Sequence, residues 1–194
     1  MSDQEKWNAR YAVATTEPPR PAPVLQENAH LLPVTGRALD LACGLGGNAL
    51  FLARRGFGTE AWDISDVAIS TLGELAAAER LNLQARVRDV SKVPPDPETF
   101  DIIVVSRFLD RSIVPAIANA LRPGGLLFYQ TFTREAVSER GPSNPAYRLG
   151  PNELLRLFYG MRVLVYREEG RQGDMQQGFR DEAMLVAVRD GGVQ

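Results

Sequence analysis

Asp40, Asp63 and Asp89 stand at the ends of three apolar runs, and Gly44, Gly46 and Gly47 follow the first of them in the segment DLACGLGGN (40–48). An ionised carboxylate offers two acceptor oxygens and no donor, which suits sugar hydroxyls or an exocyclic amine. Glycines let the backbone approach a ligand with no Cβ in the way. Alone, the glycines are ambiguous. Gly44, Gly46 and Ala49 satisfy the relaxed G-x-G-x-x-G/A nucleotide fingerprint, and Asp63 lies at about the ~20-residue distance of a ribose carboxylate. A dinucleotide enzyme fits that pattern. Asp40 counts against it, because a carboxylate beside the turn repels a pyrophosphate. It suits a ligand that brings an ammonium and a sulfonium and no phosphate.

S-adenosylmethionine has those charges. Asp63 would then take the ribose hydroxyls, Asp89 would accept from the adenine amine, and the Val90 backbone would serve the ring nitrogens. Taken separately, Asp40 could cap a turn, Asp63 could cap the next helix and Asp89 could lie on the surface. Three acids at successive strand ends beside one glycine turn favour the shared site.

Strand-like and helix-like runs alternate along the chain. Strands are expected over 37–43, 59–64, 83–90, 100–105 and 126–132, and helices over 47–55, 67–81 and 112–121. Ser65 and Asp66 read as caps of the second helix, and Pro123-Gly124-Gly125 as the stop of the third. The apolar run FDIIVV (100–105) suits a central strand covered on both faces. Residues 133–150 are polar and aperiodic, as functional lids often are. Asn152 is expected to cap a helix over 153–158. Strands over 161–167 and 183–189 follow, joined by a polar hairpin connection. This alternation implies parallel strands with helices on both faces, plus an antiparallel hairpin at one edge. The reading is one doubly wound α/β domain over 34–194, with 1–33 packed over the site.

The 194 residues, 44% of them hydrophobic, allow one substantial core. A net charge of -2 supplies no overall positive field, so no nucleic-acid partner is expected. The lone Cys43 and lone His30 exclude an internal disulfide and a Cys/His zinc centre, and no metal is expected. The polar N-terminus has no apolar core of a signal peptide, and no run is long enough to span a bilayer. A cytoplasmic protein, monomeric or weakly dimeric, is the expectation.

The chain resembles the class I S-adenosylmethionine-dependent methyltransferases. The resemblance is carried by DLACGLGGN (40–48), WDIS (62–65), RDV (88–90), FDIIVVSRFL (100–109) and LRPGGLLFYQTF (121–132). Within that class it is most similar to the small tellurite-resistance and thiopurine-type group, on WNARY (7–11) and GPSNPAYRLGPNELLRLF (141–158). The resemblance implies a seven-stranded sheet of order 3-2-1-4-5-7-6 with strand 7 antiparallel. It implies S-adenosylmethionine as cofactor, with S-adenosylhomocysteine as product. It places Asp40, Ala42, Gly44, Gly46 and Asn48 near the methionine part, and Asp63 and Ile64 at the ribose. Asp89 and Val90 flank adenine, Ser106 and Arg107 lie under the sulfonium, and Trp7 and Tyr11 close over the top. The group often has His where this chain has Asp110.

A sulfonium methyl is already activated, so in-line displacement needs mainly alignment, worth about 7–11 kcal/mol. A general base is needed only for a protonated acceptor. Candidate acceptor contacts are Arg107, Asp110, Tyr129, Arg134, Arg140, Tyr147 and Arg148, with one of Phe128 and Tyr129 expected in the core. Cys43 reads as a small core residue and His30 as a surface or capping residue. The Asn/Asp-Pro-Pro-aromatic element of many DNA- and protein-aminomethylating enzymes is absent, which favours a small acceptor such as a thiol or oxyanion. Two other readings stay open: an NAD(P)-linked oxidoreductase, and a non-catalytic sensor or partner subunit that binds the cofactor only.

Overall fold

The structure is a computed structural model and describes residues 2–13 and 19–191. Seven strands form one sheet: β1 (Arg37–Leu41), β2 (Gly58–Asp63), β3 (Leu83–Val87), β4 (Phe100–Ser106), β5 (Leu121–Phe132), β6 (Arg162–Arg167) and β7 (Glu182–Val188). Their order is β3-β2-β1-β4-β5-β7-β6. The first five are mutually parallel, and β7 runs antiparallel between β5 and β6. This is the doubly wound topology that the resemblance implies.

The helices are α1 (Asp3–Ala12), α2 (Pro23–Glu27), α3 (Gly47–Ala53), α4 (Asp66–Ala78), α5 (Val114–Ala120) and α6 (Glu153–Leu157). Alternate side chains of each strand leave opposite faces of a sheet, and both faces here are covered. Leu39, Leu41, Ile103, Val105, Leu127, Tyr129 and Leu185 pack with Ile117 of α5 and Leu154 of α6. Ala38, Ile102, Val104, Phe128, Met184 and Val186 pack on the other side with Val24, Leu25 and Leu52. Phe128 and Tyr129 are therefore both fully buried, one in each layer, where one of the two was expected outside the core. Val24 and Leu25 are likewise fully buried, so the segment before β1 contributes to the core itself.

Several boundaries differ from the sequence reading for local reasons. Ser65 caps α4 as expected, its hydroxyl accepting from Ala68 N–H. The third helix ends at Ala120, and Pro123–Gly125 lies inside β5. There the register slips from Phe100↔Leu121 to Ile102↔Leu126. Gly124 has φ +80°, which suits that irregularity. β3 stops at Val87, because the Asp89 carboxylate turns the chain by accepting from the N–H and hydroxyl of Ser91. Asn152 precedes α6 but offers no side-chain cap. Glu153 accepts from Gly150 N–H instead. Residues 133–150 hold one short 3₁₀ helix, Pro145–Tyr147.

Candidate functional site

Strand order reverses between β1 and β4, and in open α/β sheets the ligand crevice lies at that point, beyond the carboxyl ends of the strands. The backbone leaves both strands there in unusual conformations. Ala42, just after β1, has φ +55°, and Arg107, just after β4, has φ +56°. A left-handed non-glycine residue costs about 1–2 kcal/mol, so two side by side mark a constrained place.

Two acids brace the glycine turn. Asp63 Oδ2 accepts from Gly44 N–H at 2.8 Å, and Oδ1 from Ser65 N–H at 2.9 Å. Asp40 is fully buried, with its oxygens on Asn48 Nδ2 at 3.2 Å and Ala49 N–H at 3.0 Å. Its carboxylate thus caps the first turn of α3 and does not face the open side of the turn. Asn48 also donates to Ser106 Oγ at 3.1 Å, linking α3 to the end of β4. Burial, partly opposed by the bonds from Asn48 and Ala49, lifts the Asp40 carboxyl to about 7. Burial raises Asp63 from its ordinary value too, and pushes up the Cys43 thiol, which fits a core residue.

The glycines make room for the chain's own atoms. A Cβ on Gly44 would lie 2.8 Å from the Tyr11 hydroxyl, and one on Gly46 2.4 Å from Leu72 Cδ1. A Cβ on Gly47 would lie 2.1 Å from the Arg20 carbonyl oxygen. Gly44 and Gly46 also have φ +53° and +79°.

Above the turn lies α1. Trp7 and Tyr11 stack at 5.7 Å, and Asn8 Oδ1 accepts from the Ser65 hydroxyl at 2.6 Å. Burial first, then the Asp63 charge, raises the Tyr11 phenol. The start of α1 also walls a cleft of about 290 Å³ with Ile64, Val87, Arg88, Asp89 and Lys92. Asp89 reaches that cleft, with Lys92 Nζ 2.9 Å from its Oδ2. Val90 is buried in the core and does not line it.

The acceptor candidates divide sharply. Tyr129 is fully buried and donates to Phe108 C=O at 2.9 Å, so it cannot meet an acceptor. Arg148 spends its guanidinium on the carbonyls of Thr133, Arg140 and Pro142, holding the 133–150 segment together. Asp110 caps the short helix Arg111–Ile113 through Ser112 N–H at 2.9 Å. Arg134 donates to Pro145 C=O at 3.3 Å, and Tyr147 is exposed. His30 is exposed in a short 3₁₀ helix. Arg107 and Arg140 remain, converging on one buried carboxylate. Glu182 Oε1 lies 3.4 Å from Arg107 Nε and 3.9 Å from Arg140 Nη2.

A family model described as "Tellurite resistance protein TehB" matches residues 5–172, most of the chain. The chain belongs to the TehB family. Over 138 residues it is 34% identical to the "Probable S-adenosyl-L-methionine-dependent methyltransferase TehB" of Haemophilus influenzae, covering 68% of this chain and 48% of that protein. It is 30% identical over 118 residues to the "Ubiquinone biosynthesis O-methyltransferase" of Albidiferax ferrireducens, 56% of this chain and 46% of the other. The chain thus spans about half the length of the curated relatives it matches. The crystal structure of TehB from Haemophilus influenzae shares the fold, with TM-score 0.69 and 22% identity over 96% of this chain and 67% of that one.

In this TehB-family chain the turn, Asp63, Asn48, Ser106, Arg107, Trp7 and Tyr11 come together at one end of the sheet. Gln130 and Glu182 belong there too, and the sequence reading missed them. Both are buried, and Gln130 Nε2 donates to Glu182 Oε2. A signal existed: each is a long polar side chain in a largely apolar strand, LLFYQTF and EAMLVAV. Among the described residues, no helix is long and apolar enough to cross a membrane.

Proposed function

We propose that this chain is an S-adenosylmethionine-dependent methyltransferase acting on a small-molecule acceptor by in-line displacement. The observation that carries the reading is the Asp63 carboxylate, fixed by two backbone N–H groups at the end of β2 beside the glycine turn. So held, it keeps free lone pairs for a vicinal pair of hydroxyls. The Gly44–Gly46 backbone would receive the amino-acid end of the cofactor, with Ala42 and Asn48 beside it. Ile64 and Asp89 would flank adenine in the cleft under α1. Trp7 and Tyr11 would cover the site, and Ser106 and Arg107 would lie under the reacting sulfur. Asp40 serves by bracing α3. When bound, the cofactor supplies a methyl group already activated on a cationic sulfur.

The dinucleotide reading is less well supported. A pyrophosphate needs the free N–H groups of a helix N-terminus, and Asp40 already takes the Ala49 N–H there. Among the described residues the carboxylates near Arg107 are engaged: Asp110 holds Ser112, and Glu182 holds Gln130 and faces Arg107 itself. That arrangement suits acceptors already nucleophilic at neutral pH, such as a thiolate, an oxyanion or a neutral amine. The buried thiol of Cys43 suits a reducing compartment, and we place the chain in the cytoplasm, as a monomer or weak dimer without a nucleic-acid partner.

Transfer of labelled methyl from S-adenosylmethionine to a panel of thiols, amines, oxyanions and carboxylates tests the activity. Turnover with at least one class is expected. Cofactor binding with no turnover across the panel would favour the sensor reading instead.

A further inference from the structure

The segment from Arg20 to Val24 lies across the mouth of the sheet and is held at three successive points. The Arg20 carbonyl packs against Gly47, where a Cβ would come within 2.1 Å. Ala22 N–H donates to Asn48 Oδ1 at 2.8 Å. Val24 N–H donates to Gln130 Oε1 at 2.8 Å. The two amides are used alike. Each accepts from the segment through its oxygen, and each donates through its nitrogen to a buried carboxylate: Asn48 to Asp40, Gln130 to Glu182. Asn48, Gln130, Asp40 and Glu182 are all at most 4% exposed. A backbone N–H donates only, so the segment draws the carbonyl end of each amide toward itself and leaves the NH₂ end for the buried acid. The orientation of both clamps is thereby fixed.

We propose that Gln130, oriented by Glu182, is a positioning residue for cofactor binding: with Asn48 it clamps the segment Arg20–Val24, and so seats the Arg20 carbonyl against Gly47 beside the glycine turn. This rests on the cofactor reading above. α1 docks separately, on α4 and through Asn8 and Tyr11, while the strap meets the turn directly at Gly47. Gln130 itself lies on β5, two residues before the strand's end, and reaches the turn through the strap.

The test uses the full chain and S-adenosylhomocysteine in calorimetry. Gln130→Ala removes one clamp. Ala22→Pro removes the other N–H at a position whose φ of −65° already suits proline. Leu126→Ala serves as a control that lowers stability at the opposite end of the sheet. Each clamp variant is expected to weaken binding by about fivefold to tenfold, and to speed hydrogen exchange across the first turn of α3 while β4 stays protected. The control should lower the melting temperature and leave the affinity unchanged. If Gln130→Ala does not fold, Ala22→Pro decides on the same criteria. Wild-type binding with unchanged affinity and unchanged exchange in the first turn of α3 in the folded variants would overturn the clamp. Absence of binding by the wild type would overturn the cofactor reading itself.

Discussion

The N–H of Gly44 donates to Asp63 Oδ2 at 2.8 Å, so the residue that opens the glycine turn is held by the acid that closes β2. The two are 19 residues apart in sequence and meet because β1 and β2 pair in parallel, with Leu41 opposite Trp62. The contact makes the turn and the acid one unit. A ligand that uses both meets a site already assembled, with little ordering left to do on binding.

Gly47 faces the Arg20 carbonyl, so Gly47→Ala must push the strap away from α3. Overpacking of this kind costs about 1–3 kcal/mol. Thermal unfolding should show that loss, and calorimetry should show weaker S-adenosylhomocysteine binding. An alanine variant as stable as wild type would mean that the strap is not seated there.

Asp40 predicts a pH dependence. Its carboxyl rises from an ordinary 3.8 to about 7 in the fold, chiefly through burial. Between those values the folded state holds a proton that the unfolded chain releases, so the Asp40 contribution to stability is greatest below about pH 4 and is lost as pH rises through 7. The slope is at most about 1.4 kcal/mol per pH unit. Urea unfolding across that range should show it, and Asp40→Asn should flatten it. An identical slope in the variant would remove Asp40 as the cause.

Tyr129→Phe separates packing from chemistry. Losing the bond to Phe108 C=O should cost about 1–3 kcal/mol in urea unfolding, since the carbonyl is left without its partner. Affinity for S-adenosylhomocysteine should not change. A large loss of affinity with full stability would contradict the buried placement of this ring.

Much of the fold was legible because its signals are local or periodic. The run FDIIVV matches β4 at a central position, and Ser65 caps α4 where its sequence context placed it. Errors arose where a side chain acts against its usual propensity. Asn152 has the residue type of a cap but sits at φ +56° without capping, and Asp89 falls beyond the end of β3, where its carboxylate turns the chain at Ser91. The phenol of Tyr129 suggested a reacting group, yet a sheet covered on both faces has no outward position for it. The pairing of Gln130 with Glu182 spans 52 residues, and that of Gln130 with Val24 spans 106. No periodicity reports contacts of that range. They follow only from the placement of β7 beside β5 and of the strap across their ends.

The central claim is that the Gly44–Asp63 unit holds S-adenosylmethionine. Titration of the full chain with S-adenosylhomocysteine, for wild type and Asp63→Ala, tests it most directly. The account predicts a micromolar complex for wild type, weakened at least about 100-fold by removing the carboxylate that receives the ribose hydroxyls, in a variant that still unfolds cooperatively. No detectable binding by wild type, or equal affinity in the folded variant, would contradict it.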